Sequence, residues 1–180
     1  MRLFHSISTM SYMKRILMAV LAIMLTSCAS SDNGESKFSS QDIMFAEMMI
    51  PHHEQAIEMA DLALAISQDS EVLSLATQIK SAQAPEIEQM KSWGSSHMGS
   101  HAGHMMDGML SDEEMEELSQ ASGTDFDRLF LEGMIKHHEG AIEMAEMILE
   151  SKNAEAASLA RNIIETQKAE IETMKKLLAR

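Results

Sequence analysis

Apolar and polar positions over residues 40–67 alternate with the spacing of an α-helix. One face carries residues at steps of four and three, the pattern of a helix side packed in a core. That face holds Phe45, Met49, His52, Ala56, Met59, Ala63 and Ile66. The same steps recur over residues 125–150, with Phe130, Met134, His137, Ala141, Met144 and Ile148. We therefore predict two long helices, each with a histidine in the middle of its buried face.

Two further helices are predicted over residues 70–93 and 154–178. Their buried faces are apolar at both ends and polar at mid-height, where Gln83 and Glu86 lie in one and Gln167 and Glu170 in the other. Four such faces predict a four-helix bundle with a polar layer inside.

The chain contains an internal repeat. Residues 42–60 align without gaps with residues 127–145, and residues 74–91 match residues 158–175. Each unit is a helix pair: the first repeat spans residues 42–93 and the second spans residues 125–178. Between them lie a linker over residues 94–110 and a short acidic helix over residues 111–121. We predict an all-α domain covering residues 41–180.

Local signals place the ends of these helices. Capping-box spacing occurs at Ser39 with Asp42, at Ser111 with Glu114, and at Thr124 with Asp127. Gly123 is predicted to end the short helix, and Pro51 is predicted to kink the first long one.

Composition supports the helical prediction. Hydrophobic residues make up 45% of the chain but aromatic residues only 4%, and there are 19 methionines and two prolines. Strong helix formers dominate over the β-branched and aromatic residues that favour strands.

The N-terminus predicts export. Lys14 and Arg15 precede a short apolar run, the order of a signal peptide, and the stretch from Leu25 to Cys28 resembles a bacterial lipobox. We therefore predict a signal peptide over residues 1–27, lipidation at Cys28, the only cysteine, and a flexible tether over residues 28–40. The start codon stays open among Met1, Met10 and Met13.

The net charge limits the classes of molecule that the protein can bind. Three of the 14 basic residues precede Cys28, so the exported part carries 11 basic and 28 acidic residues, a net charge of −17. Nucleic acid, which needs a basic surface, is excluded. The lipid anchor would attach the protein to the periplasmic face of the envelope, and Ala29 after the cysteine favours the outer membrane over the inner.

The polar layer has two interpretations. In the first it is a self-contained hydrogen-bond network in which His52 and His137 donate to Glu86 and Glu170, because a buried polar group without a partner costs about 1–3 kcal/mol. In the second it holds a metal ion, with the same four side chains as ligands.

Methionine beside histidine favours copper in the second interpretation. Met49 and Met134 stand three residues before the central histidines, where di-iron bundles carry glutamate. Thioether and imidazole suit Cu(I), so iron and zinc are less favoured. Met48 would add a ligand in the first repeat only. The remaining expected participants are His53 and His138, which should reach the groove between helices, and Glu54, Glu139, Gln83 and Gln167, which would support the ligands.

The linker is a second candidate metal site. Glycines interrupt any helix there, and short histidine-rich tracts are typical of metal binding. Its candidate ligands are His97, Met98, His101, His104, Met105, Met106 and Met109.

The long motif around each His-His pair resembles the family called domain of unknown function 305. The resemblance covers residues 42–178, and its motif falls on Asp42, Phe45, Met49, His52, His53 and Met59 and on their six counterparts from Asp127 to Met144. It implies a ferritin-like bundle in exported bacterial proteins, some of them linked to periplasmic copper binding and copper tolerance.

Three functions follow from these observations. The first is a non-enzymatic Cu(I)-binding protein of the envelope, which would exchange copper with a partner or form a homo-oligomer. The second is a metal-dependent oxidoreductase, either a cuprous oxidase or a di-metal enzyme, although both Glu-x-x-His motifs are missing. The third is a structural interaction protein whose histidines only complete the core.

Overall fold

The structure, a computed structural model, describes residues 37–94 and 106–180. The described residues form five helices and no strand: α1 Ser40–Ile66, α2 Ser70–Lys91, α3 Asp112–Gln120, α4 Gly123–Glu146 and α5 Ala154–Leu178. The predicted all-α architecture is therefore confirmed, with four long helices and one short one.

Side-chain caps fix two of the helix starts as predicted. The Ser39 hydroxyl accepts from the backbone N–H of Asp42 at the start of α1, and the Asp42 carboxylate accepts from the Ser39 N–H in return. Ser111 and Glu114 form the same reciprocal pair at the start of α3. Each box satisfies two backbone donors that a helix end leaves open. Pro51 lies inside α1, which continues through it.

The start of α4 differs from the prediction. Its N-cap is Ser122, which makes no side-chain cap bond, and Gly123 is the first residue of α4, with φ +57°, rather than the end of α3. The expected Thr124–Asp127 cap is wrong because α4 begins at Gly123, which places Thr124 inside the helix. The Asp127 carboxylate has another partner. It accepts a hydrogen bond of 2.5 Å from the Ser67 hydroxyl at the end of α1.

The first helices of the two repeats, α1 and α4, pack antiparallel. Near the start of α1 the Gln41 side-chain amide donates to the backbone carbonyl of Met147, just after α4, at 2.8 Å. Halfway along, the rings of His52 and His137 touch. His52 and His137 occupy the same position in the two repeats. Because the antiparallel helices cross at this position, the two histidines meet there.

Two apolar clusters fill the bundle, one on each side of the polar layer. On every long helix the polar layer falls between the residues of one cluster and those of the other, with the single exception of Ile142 on α4. The first cluster includes Phe45, Met49, Met90, Trp93, Ala145 and Ile163, and the second includes Met59, Ala63, Leu75, Phe126, Phe130 and Met174. Each cluster draws on both repeats, so neither repeat has a core of its own.

The described N-terminal residues belong to the bundle. The Phe38 ring stacks on Trp93 with 4.6 Å between ring centroids, and the Trp93 indole N–H donates to the Glu155 carboxylate at 3.1 Å. Residues 37–40, assigned from the sequence to the tether, therefore pack against the helices. The rest of the predicted tether, the signal peptide and Cys28 lie outside the described residues.

Candidate metal centre

Four fully buried histidines occupy the middle of the bundle: His52, His53, His137 and His138. Burial of His52 and His137 is as predicted from the helix face. The expectation that His53 and His138 reach the groove is wrong. Both rings have no exposed surface, because each packs toward the second helix of its own repeat and meets a carboxylate there.

Those carboxylates are Glu86 on α2 and Glu170 on α5. The Nε2 atom of His53 lies 2.8 Å from Glu86 Oε2, and that of His138 lies 2.8 Å from Glu170 Oε2. The expected network, in which His52 and His137 bond to these glutamates, is therefore wrong by one residue in each repeat. A carboxylate that already accepts from one imidazole serves to orient that ring rather than the neighbouring one.

His52 and His137 instead contact each other across the α1–α4 interface. Their ring centroids are 3.8 Å apart at an interplanar angle of 46°. The Nε2 atom of His52 also lies 3.3 Å from the backbone carbonyl oxygen of Asp107. Since a carbonyl only accepts, this nitrogen carries the proton and Nδ1 keeps its lone pair.

The buried polar layer is incompletely paired among the described residues. The atoms without a hydrogen-bond partner are Nδ1 of all four histidines, Nε2 of His137 and the side-chain amides of Gln83 and Gln167. A buried polar atom left in this state costs about 1–3 kcal/mol. The layer therefore contains buried nitrogen and oxygen atoms whose hydrogen-bonding capacity is unused among the described residues.

The histidines of the central pair are neutral at pH 7. Burial, and then the neighbouring His53, lower the pKa of His52 to about 3, against a smaller opposing effect of the Asp107 carbonyl. Burial, and then His52 and His138, lower the pKa of His137 well below its usual value. Neutral imidazole is the form that binds metal ions, so neither ring has to lose a proton first.

The end of the linker packs directly over this pair. Asp107 and Gly108 lie against α4 at Gly140, so closely that a Cβ atom on Gly140 would stand 2.0 Å from the Asp107 carbonyl oxygen. Gly108 has φ +89°, and a Cβ there would stand 2.6 Å from the Lys136 carbonyl oxygen. Glycine at both positions is what lets the linker backbone reach His52.

Leu110, two residues after Gly108 in the linker, is held by a side chain of α1. The Gln55 amide donates to the Leu110 carbonyl at 2.8 Å and its oxygen accepts from the Leu110 N–H at 2.9 Å. Gln55 and Gly140 occupy the same position in the two repeats. Sequence reasoning did not identify them as functional, and the available signal was that this position differs between otherwise similar motifs.

The predicted thioether ligands fall in three environments. Met49 and Met134 are fully buried, one in each apolar cluster, on either side of the histidine layer. Met48 is half-buried on α1, and Met106 and Met109 are half-buried in the linker turn. The other linker candidates, His97, Met98, His101, His104 and Met105, lie outside the described residues.

Glu54 and Glu139 do not support the imidazoles as expected. Both are exposed, and Glu54 faces Lys91 at 3.4 Å. A residue next to a buried histidine points about 100° away round the helix, which here is toward solvent. The orienting role belongs to Glu86 and Glu170 instead.

Within residues 37–94 and 106–180, no three His, Cys, Asp or Glu side chains gather closely enough to hold a metal ion. Over the same ranges, no helix has the length and apolar character to cross a membrane.

The fold and the layer define an all-α bundle protein with a histidine-rich interior. The chain belongs to the family Domain of unknown function (DUF305), whose model matches residues 42–178. Comparison with curated proteins finds no match.

Solved structures share the fold. A DUF305 protein from Streptomyces coelicolor, described as a presumed secreted protein, is 33% identical, with 78% of this chain and 93% of that chain covered and a TM-score of 0.70. A DUF305 fragment from Deinococcus radiodurans is 34% identical, with 79% and 98% covered and a TM-score of 0.71. CopM in its Cu(II)-bound form is 35% identical, with 77% and 95% covered and a TM-score of 0.67. CopM has also been solved with Cu(I) and with silver.

Proposed function

We propose that this protein binds Cu(I) in the bacterial envelope and holds it without catalysis, as a buffer or carrier in copper tolerance. The observation that carries the proposal is the state of the buried imidazoles. His52, His53 and His138 each have Nε2 engaged with an oxygen acceptor and a buried, unpaired Nδ1. Histidines that bind metals nearly always have their second nitrogen anchored in this way.

The chemistry favours a soft monovalent ion over a hard centre. Both nearby carboxylates already accept from imidazoles, and the remaining donors are imidazole nitrogen and the thioethers of Met49 and Met134, one helical turn before His52 and His137. Such donors suit Cu(I) better than iron. Copper- and silver-bound structures of CopM, at 34–35% identity, support the same choice.

The envelope location rests on the sequence and one relative. The N-terminal pattern predicts a signal peptide and lipidation of Cys28, and the Streptomyces relative is described as presumed secreted. We place the protein at the periplasmic face, anchored by lipid to the outer membrane. There the linker histidines and methionines, from His97 to Met109, would capture the ion and the interior would retain it.

The test is an anaerobic titration of the purified protein with Cu(I) against a competing chelator, with Zn(II) and Fe(II) in parallel. The main variant is His52→Gln with His137→Gln. The matched control is Glu139→Gln, an exposed neighbour on the same helix. A third variant replaces His97, His101 and His104 by serine, which separates the linker from the interior.

We expect tight, selective uptake of Cu(I) by the wild-type protein and the control. The double histidine variant should lose the tightest site, whereas the linker variant should lose weaker sites. Equal retention of Cu(I) and Zn(II), unaffected by either variant, would instead support a structural role. Rapid oxygen consumption after Cu(I) or Fe(II) loading would favour the oxidase alternative.

A further inference from the structure

A row of sulfur and nitrogen donors descends from the surface of α1 to the central histidine pair. Met44, Met48 and His52 stand at positions i, i+4 and i+8, so their side chains are successive neighbours along one side of the helix. Exposure falls along the row: Met44 is 43% exposed, Met48 is half-buried and His52 is fully buried. The row therefore runs from an exposed position to a fully buried one.

The second repeat has no equivalent row. Leu129 and Gly133 stand where the first repeat has Met44 and Met48, so α4 itself carries no methionine at these two positions. Gly133 is also covered, since a Cβ there would meet the Leu110 side chain at 3.2 Å and the Met59 methyl group at 3.3 Å. Side chains from the linker and from α1 thus cover the second repeat at the position where the first repeat has the half-buried Met48.

A second exposed methionine has its backbone near the start of α1. Gln41, one turn before Met44, bonds to the carbonyl of Met147, and Met147 is 40% exposed. Met44, Leu64 and Met147 are the exposed large hydrophobic side chains of the described residues. Two of the three are therefore methionines at one end of the same helix pair, where leucine would serve packing equally well.

We propose that Met44 and Met48 form a surface site for soft monovalent ions and pass them by ligand exchange to His52. The ion enters the bundle through the first repeat. The step involves no redox change, because one thioether leaves the ion as the next donor binds. This inference rests on the proposed Cu(I) function and adds the route by which the interior is loaded.

The experiment follows loading of the full protein with Ag(I), a redox-inert probe, and with Cu(I) under anaerobic conditions. The variant is Met44→Leu with Met48→Leu, which preserves side-chain volume and costs little stability. The matched control is Met115→Leu, a half-buried methionine on α3. The readouts are the stopped-flow uptake rate, the methyl resonances of 13C-labelled methionine and the ring resonances of 15N-labelled histidine.

We expect the double methionine variant to load about tenfold more slowly, as loss of one favourable contact in the rate-limiting step would give. Its final occupancy of the histidine pair should be unchanged, and Met115→Leu should load normally. In the wild-type protein the Met44 and Met48 methyl signals should shift before the imidazole signals of His52. Normal loading of the double variant, or shifts of His52 that precede those of the methionines, would overturn the route.

The experiments can refute the Cu(I) function and the loading route independently of each other. If His52→Gln with His137→Gln abolishes tight binding while the methionine variant loads at the wild-type rate, the interior site stands and the route is wrong. If the histidine variant binds like the wild-type protein, the Cu(I) function itself is wrong.

Discussion

Replacement of Gly140 by alanine tests the contact between the linker and the histidine pair. A methyl group there would stand 2.0 Å from the Asp107 carbonyl oxygen and 2.7 Å from its carbon. These are backbone atoms, so no side-chain rotation can relieve the overlap. The segment around Asp107 must therefore lift away from α4.

The cost can be worked from the contacts that the lift would break. They are the His52–Asp107 hydrogen bond and the two bonds between Gln55 and Leu110. At about 1 kcal/mol each, they amount to about 3 kcal/mol. Alanine regains about 1 kcal/mol over glycine within a helix. We expect Gly140→Ala to lower the free energy of unfolding by about 2 kcal/mol.

Gly133→Ala is the matched control, on the same helix and with the same gain in helix propensity. Its added methyl would meet only the side-chain ends of Leu110 and Met59, at 3.2–3.4 Å. These can shift, so its stability should stay within about 1 kcal/mol of wild type. Urea unfolding, compared by midpoint at constant slope, measures both. If Gly140→Ala is as stable as Gly133→Ala, the linker is not held against α4 as described.

Three further results are expected. Burial lowers the pKa of His52 to about 3 and that of His137 well below its usual value, so the unfolded chain binds more protons than the folded one below about pH 6.5. Stability should therefore fall as the pH drops below about 6.5, by up to about 1.4 kcal/mol per pH unit for each histidine. His137→Gln should reduce this slope in pH-dependent urea unfolding, and an unchanged slope would contradict the assignment. Glu170→Ala should cost about 1–3 kcal/mol by leaving the buried His138 unpaired, whereas the exposed Glu139→Ala should change the same midpoint by less than about 0.5 kcal/mol. Cu(I) at 100 times its dissociation constant should add about 2.7 kcal/mol of stability, and a melt that Cu(I) leaves unchanged would argue for a purely structural layer.

Helix positions and the polar layer followed from the sequence because the repeat shows the buried pattern twice. Phe45 and Phe130, or Gln83 and Gln167, are each supported by a counterpart in the other repeat. The predicted bounds of α1 and α5 agree with the structure within one residue. Periodicity reports which residues share a face, and that was sufficient for the fold.

The side-chain pairs formed between helices could not be predicted from the sequence in the same way. Helical spacing places His52 and His53 about 100° apart, but which of the two meets Glu86 depends on the rotation of α2 against α1. That rotation is set by packing of both apolar clusters at once, so the sequence pattern left the choice open and the prediction selected the wrong histidine.

Linker contacts were beyond reach for a different reason. Gly140 and Gln55 contact backbone atoms of Asp107 and Leu110. Because every residue has these atoms, the sequence gives no sign of which residues make such contacts. Glycine in a helix ordinarily indicates only a weak position. A close approach of two backbones becomes visible only in three dimensions.

The crossing of α1 and α4 also bears on the ancestry of the chain. His52 and His137 meet as equivalent residues, which is the relation between two identical subunits at a dyad. Since each apolar cluster draws on both repeats, a single ancestral repeat would have found its core only in a second copy of itself. In this chain a single linker crosses that axis. One linker cannot contact two equivalent halves in the same way, and it meets Gln55 in the first repeat and Gly140 in the second, at the same repeat position.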